Sequence, residues 1–84
     1  MARRVEHHFN RRYGANRRDV FLIRTETGWQ VQGREGGGDG REVTHYFDDE
    51  AGARRMLQRM LDAVAPELSN WARMTGSRPG DRPR

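Results

Sequence analysis

One stretch of the chain carries a clear helical repeat, and this repeat restricts what the other residues can form. Between Asp48 and Val64 apolar residues recur at the i, i+3, i+4 and i+7 spacing of one helix face. Asp48 is the predicted N-cap, and Asp49 and Glu50 follow where the helix dipole favours negative charge. A helix with one apolar face needs a second layer on which to pack. The predicted face consists of Ala53, Met56, Leu57, Met60, Leu61 and Val64.

Three predicted strands before the helix supply that layer. Residues 19–25 are dense in β-branched and aromatic side chains and contain neither Gly nor Pro, which is typical of a strand. A second strand begins at Trp29 and runs into a glycine-rich tip at residues 36–40. The third strand covers residues 41–47 and ends where the helix begins.

The turn between the first two strands determines which side chains share a face. A three-residue loop over residues 26–28, with Gly28 in the left-handed region, pairs Ile23 with Val31. That register predicts an apolar inner face of Phe21, Ile23, Trp29 and Val31. The outer face would then carry Val20, Leu22, Gln30, Gln32 and Arg34.

The predicted fold is therefore α+β, a three-stranded antiparallel β-meander packed on one long C-terminal helix and followed by a short second helix. Pro66 suits the first turn of that second helix. A body of this size buries too little surface to be more than marginally stable. Either the second helix covers the outer face, or two chains share it as a dimer. In the second case the interaction surface is Val20, Leu22 and Trp71.

Charge divides the chain into three parts. All 16 basic residues are arginine. Either codon bias in a GC-rich genome or a need for bidentate recognition of phosphate or carboxylate would explain this preference. Residues 1–18 hold six arginines against one acid, and residues 75–84 hold three against one, whereas acids outnumber arginines between them. We predict a basic flexible arm at 1–18, a folded domain at 19–74 and a disordered tail at 75–84.

Several function classes are excluded by composition. The absence of cysteine excludes a disulfide scaffold, a cysteine-ligated zinc site and a thiol nucleophile. The longest apolar run has four residues, 20–23, and the chain starts without an apolar segment, so we expect a cytoplasmic protein with no membrane span and no secretory signal. Neither of the two serines has a plausible base, and adjacent His7 and His8 cannot chelate one metal. We predict no enzyme, cofactor or metal site.

Paired arginines in the arm are the candidate nucleic-acid contacts. Histidine and aromatic residues lie between the pairs, so the segment offers cations for phosphates and rings for bases. The arm alternatively docks on an acidic protein or only keeps the chain in solution. The predicted contacts are Arg3, Arg4, Arg11, Arg12, Arg17 and Arg18.

One weak likeness to a known family accompanies this pattern. The run from Gly28 to Val31, the glycine-rich turn, the strand ending at Phe47 and the helix opening at Asp48 together resemble the arm-type DNA-binding domain of phage and transposon tyrosine-recombinase integrases. The resemblance covers residues 19–61. It implies a three-stranded sheet that enters the major groove, with Gln30, Gln32 and Arg34 at groove-facing positions. The family's sheet face is basic, whereas this segment is net negative.

The predicted function is that of a small non-catalytic nucleic-acid-binding accessory protein, with DNA favoured over RNA. Its affinity would come from the arm, and any base contacts from Gln30, Gln32 and Arg34. The alternative is a protein-interaction module or small regulator that self-associates, as a homodimer, through the outer sheet face. Neither prediction involves a membrane.

Overall fold

A computed structural model describes residues 2–36 and 40–74, which form a five-stranded antiparallel sheet with one α-helix packed on one side. The strand order is β4-β3-β2-β1-β5. The strands are β1 (Arg3–Phe9), β2 (Arg18–Arg24), β3 (Trp29–Glu35), β4 (Glu42–Phe47) and β5 (Ala72–Arg73), and the helix is α1 (Glu50–Ala63). The α+β class and the antiparallel sheet are confirmed, whereas the predicted strand and helix numbers, three and two, are not matched.

The N-terminal segment is part of this sheet. The expectation of a flexible arm is wrong for residues 3–9, because they form β1 between β2 and β5. The pairing of β1 with β2 shifts by one residue between Arg4 and Glu6 and leaves Val5 as an extra residue. Since this shift breaks the strict alternation of apolar and polar residues, the sequence pattern concealed the strand.

The register of the first hairpin also differs from the prediction. Val31 pairs with Leu22 and not, as predicted, with Ile23. The connecting loop therefore contains four residues, 25–28. Gly28 is required here by a close approach, since a Cβ at this position would lie 2.5 Å from the Phe47 carbonyl oxygen. A shift of one residue exchanges the two faces of a strand. The faces predicted for β2 are therefore reversed.

The core lies between α1 and the side of the sheet that carries Val20 and Leu22, which we call the helix side. Val20 and Leu22 are 4% and 0% exposed and pack with Ala53 and Leu57 of α1. Five of the six residues predicted for the apolar face of α1 pack in the core, whereas Val64 is the C-cap beyond the helix. The N-cap is Asp49 rather than the predicted Asp48, and its carboxylate accepts a hydrogen bond from the Gly52 amide at 2.8 Å. The prediction of Val20 and Leu22 as an exposed interaction surface is wrong.

No second α-helix follows α1 within the described residues. Residues 66–68 form a single 3-10 turn, and β5 then pairs with the outer edge of β1. This pairing turns Trp71 towards the core, where its indole Nε1 donates a hydrogen bond to the Leu61 carbonyl at 3.2 Å. Trp71 is therefore half-buried against its own chain.

The predicted disordered tail at 75–84 and the centre of the glycine-rich tip, residues 37–39, lie outside the described residues. In the part that is described, α1 is too short and too polar to cross a membrane.

Substituting Leu22 tests the revised register. We expect Leu22→Ala to lower the free energy of unfolding by about 2–5 kcal/mol, because it leaves a cavity in the core. Val43→Ala, at a position on the same side of the sheet that is 48% exposed, is the matched control and should change it much less. Urea denaturation measures both. A Leu22→Ala protein of unchanged stability but altered oligomeric state would instead support the outer-face prediction.

Candidate functional site

The sheet face opposite α1, which we call the open face, is arranged in three rows of four side chains. Pairing of β1 with β2, β2 with β3 and β3 with β4 aligns one residue from each of these four strands in every row, and β5 adds Ala72 beside Phe9 in the third. Within the described residues no helix covers this face. The rows are Arg4, Ile23, Gln30 and Tyr46; His7, Phe21, Gln32 and Thr44; and Phe9, Asp19, Arg34 and Glu42.

Phe21 is buried on this face although no second layer of secondary structure lies over it. Its ring is 3% exposed. The Arg4 guanidinium carbon lies 4.2 Å from the ring centroid, the His7 imidazole 4.4 Å away and the Arg34 guanidinium 5.8 Å away. Such cation–π contacts stabilise the charged group as well as the ring beneath it. Planar, mostly cationic side chains therefore cover the Phe21 ring in place of a second layer of secondary structure.

The corner of the open face around Phe9 repeats this arrangement. The Arg17 guanidinium lies 4.5 Å from the Phe9 ring centroid, and the Tyr13 ring meets it edge-on at 5.6 Å. Phe9 is consequently 8% exposed, whereas Tyr13 remains 73% exposed. Tyr46, in the first row on the edge strand β4, is 72% exposed. Two solvent-accessible phenol rings thus stand at opposite corners of the open face.

The loop between β1 and β2 is held by one buried amide. Asn10 is 0% exposed, and its Nδ2 donates hydrogen bonds to the carbonyls of Asn16 at 3.0 Å and Leu68 at 2.8 Å. Its Oδ1 accepts from the backbone amides of Arg12 at 3.3 Å and Arg18 at 2.9 Å. All four bonding positions of the amide are used. The loop is therefore tied at both ends and to the turn at residues 66–68.

The hydrogen bonds of Asn10 fix the backbone of the loop and thereby the positions of its arginines. Arg11 is exposed and has a positive φ of 63°, a conformation that non-glycine residues adopt infrequently. Arg12 donates from Nη2 to the Glu67 carbonyl at 3.0 Å, and Arg18 donates to the carbonyls of Ala15 and Arg17 at 3.0 and 2.9 Å. Their partners are neutral carbonyls, so the guanidinium charges are not cancelled.

Asp19 is the one buried acid of the open face among the described residues. It is 2% exposed and accepts hydrogen bonds from Arg17 Nε at 2.8 Å and from His7 Nε2 at 2.8 Å. Burial alone would raise the pKa of Asp19, but the hydrogen bonds from Arg17 and His7 outweigh burial and hold that pKa below its usual value. The bond to Asp19 likewise raises the pKa of Arg17. Arg17 is therefore a neutralised arginine.

Glu6 forms a similar cluster on the helix side. It is 6% exposed, and its carboxylate contacts His8 Nε2 at 2.9 Å, Arg54 Nη1 at 2.6 Å and Arg73 Nη2 at 3.5 Å. Burial opposes ionisation, yet the hydrogen bonds from His8 and Arg54 and the nearby charge of Arg73 lower the pKa of Glu6. The only acid of residues 1–18 thus points away from the open face.

The structure brings together some of the predicted contact residues and separates others. On the open face the structure brings together Gln30, Gln32 and Arg34, beside Arg4 and Arg17. The Gln32 Nε2 donates a hydrogen bond to Thr44 Oγ1 at 3.4 Å. Arg34 forms an ion pair with Glu42 at 3.1 Å. Arg3 and Arg18 belong to the helix side, since they pair with Arg24 and Glu35. Within the described residues, Arg3, Arg4 and Arg11 have no carboxylate at ion-pair distance.

Sequence reasoning missed Tyr46 as a site residue. Alternation along β4 places Glu42, Thr44 and Tyr46 on one face, and this signal could have identified the tyrosine as a neighbour of Gln30. The role of Phe21 as the support for two arginines depends on the register, which the sequence pattern did not provide.

A cleft of about 500 Å³ lies between the C-terminal end of α1 and the ends of β2, β3 and β4, next to the third row of the open face. Its charged lining is balanced, with three arginines against three acids, so it has no electrostatic preference for an anion or a cation. The charged lining residues are Arg18, Asp19, Arg34, Glu35, Arg41 and Glu42.

Comparison with known proteins finds no family model, no curated protein and no solved structure that matches this chain. Among the residues that the structure describes, no three histidine or acidic side chains are placed to hold a metal ion. The function is therefore argued from the open face and its adjoining loop.

Acid should destabilise the protein through its two buried carboxylates. A carboxyl whose pKa is lower in the folded state contributes stability above its unfolded pKa and loses that contribution as the pH falls. We expect the free energy of unfolding to decline as the pH drops through the ordinary values of 4.5 for Glu6 and 3.8 for Asp19 towards their lower folded values. Urea titrations at a series of pH values measure this. Glu6→Gln should flatten the decline, whereas Asp48→Asn, at an exposed position, should not.

Removing the Asn10 amide should loosen the loop. Asn10→Ala leaves two backbone amides and two carbonyls without their partner, and each unpaired buried group costs about 1–3 kcal/mol. We expect a loss of at least about 2 kcal/mol in the free energy of unfolding. Asn16→Ala is the matched control, because only the backbone of Asn16 takes part in the network. Equal stability of the two variants would contradict this account.

Proposed function

We propose that this protein is a non-catalytic nucleic-acid-binding protein that uses the open face and the loop at residues 11–18, rather than a free arm. The observation that carries the proposal is the cover of the open face by guanidinium groups. The Arg4 guanidinium carbon lies 4.2 Å from the Phe21 ring centroid, and this contact uses no N–H group that could donate to phosphate oxygens. The apolar support also holds the side chain in place, which reduces the entropy lost on binding.

Asymmetry of charge between the two sides of the molecule supports the same proposal. Among the described residues, Arg4 on the open face and Arg11 and Arg12 in the loop have no carboxylate at ion-pair distance, whereas the only acid of residues 1–18, Glu6, is buried on the helix side. Residues 48–67, which include α1, hold five acids against three arginines. We therefore expect a polyanion to prefer the loop and the Arg4 border of the open face to the surface of α1.

Polar residues in the middle of the open face are suited to contact bases. The Gln30 and Gln32 amides offer both donors and acceptors, which base edges require, whereas arginine contacts to phosphate carry no sequence information. DNA remains the favoured ligand in this proposal. Self-association through Val20 and Leu22 has no support, because both are buried under α1.

Charge removal from two different faces tests the proposal. We expect R11Q/R12Q to weaken binding to mixed-sequence DNA and to reduce the slope of log K against log salt concentration by about 1.5–2, because two phosphate contacts are lost. R55Q/R59Q removes the same charge from exposed positions of α1 and should change binding little. Fluorescence anisotropy over a salt series measures both variants.

Similar losses in the two variants would mean that net charge alone drives association, and the open face would have no special role. Absence of salt-dependent binding by the unaltered protein to either DNA or RNA would overturn the proposed function.

A further inference from the structure

We infer that the nucleic acid recognised by the open face is single-stranded, and that its bases stack on Tyr13 and Tyr46. This inference rests on the proposed function and specifies its ligand class. It follows from the width of the face, from the two exposed rings and from the distribution of acids.

The open face is too broad for the groove of a duplex. Four strands spaced about 4.8 Å apart span about 14 Å between the outer backbones, before any side chain is added. The major groove of B-DNA is about 12 Å wide and accepts a helix or a two-stranded ribbon. A four-stranded face would touch only the phosphate ridges of a duplex. Unstacked bases, in contrast, can lie flat on an open sheet, a known mode of single-strand recognition.

Both exposed aromatic residues of the described chain belong to this site. Tyr13 and Tyr46 are 73% and 72% exposed, whereas Phe9 and Phe21 of the same face are buried. Tyr13 is steadied by its edge-on contact with Phe9, and Tyr46 stands on β4 across from Gln30. Every base has a flat π face, so exposed rings bind single strands with little dependence on sequence.

Acids are confined to one row of the open face. Asp19 and Glu42 both lie in the third row, and each is paired with an arginine. The first two rows contain no carboxylate and offer uncharged polar groups from Gln30, Gln32 and Thr44 beside the free guanidinium of Arg4. A single-stranded nucleic acid that lies from Tyr46 towards the loop would therefore place its bases against the uncharged polar groups of the sheet. Its phosphates would lie near Arg4, at the β1 border of the open face.

The first experiment compares ligands on the unaltered full chain. Anisotropy titrations use one short mixed sequence prepared as single-stranded DNA, single-stranded RNA and duplex DNA, at equal salt. We expect at least one single strand to bind at least about tenfold tighter than the duplex, because only its bases can stack. The two single-stranded arms identify the sugar: a preference for RNA would indicate a contact to the 2′-hydroxyl.

The second experiment removes the rings and keeps the charge. Y13L/Y46L should weaken single-strand binding by about tenfold or more while leaving the salt slope unchanged, because the phosphate contacts remain. Y13F/Y46F keeps both rings and should bind like the unaltered protein. If Tyr13→Leu lowers stability through its contact with Phe9, Y46L alone decides the question, since Tyr46 lies exposed on an edge strand.

The outcomes separate this inference from the proposed function. Duplex affinity equal to or above that of both single strands, or undiminished binding by Y46L, overturns single-strand stacking even when R11Q/R12Q remains defective. A protein that binds no nucleic acid in any arm overturns the proposed function itself.

Discussion

Strand β2 is buried on both of its faces, and the rest of the structure depends on satisfying that requirement. All four residues from Val20 to Ile23 are at most 8% exposed. Helix α1 covers the half that carries Val20 and Leu22. The chain has no second layer of described structure for the other half, so β1 supplies one from its side chains, with Arg4 and His7 stacked over Phe21. Burial of an apolar strand thus draws the basic N-terminal segment into the fold.

Two buried carboxylates connect this segment to the rest of the fold, since Asp19 of β2 pairs with Arg17 and His7, and Glu6 pairs with Arg54 of α1 and Arg73 of β5. Glu6 on the helix side and Asp19 on the open face each accept hydrogen bonds from one histidine and at least one arginine. Because strands β1 and β2 place them on opposite faces, each carboxylate balances charge locally. Arg17 is neutralised in this way, whereas Arg4 and Arg11 remain without an acidic partner in the described chain. We therefore expect the folded protein to lose stability in acid.

The contacts that pack the open face would also favour the binding that we propose for it. A guanidinium that must cover a phenylalanine is held close to one position, and a held guanidinium binds phosphate with a smaller loss of entropy. The Asn10 network has the corresponding effect on the loop that carries Arg11 and Arg12. Neither feature requires a pocket. An extended, preorganised basic surface with exposed rings suits a flexible polymer better than a small molecule, which needs a concave site.

Local patterns in the sequence determined α1, strands β2 to β4 and the presence of Gln30, Gln32 and Arg34 on one face, because alternation keeps these three together in any register. Tertiary structure decided which face of β2 joins them, since both faces of this strand are apolar and only the packing of α1 on Val20 and Leu22 distinguishes them. Tertiary structure also determined the structure near both ends of the described chain. The extra residue at Val5 breaks the alternation of apolar and polar residues, so β1 was not predicted. Residues 72–73 pair with the edge of β1 as a strand, where local preference indicated a helix. Side-chain periodicity reports on a segment alone, whereas register and edge pairing are properties of two segments that meet only in the fold.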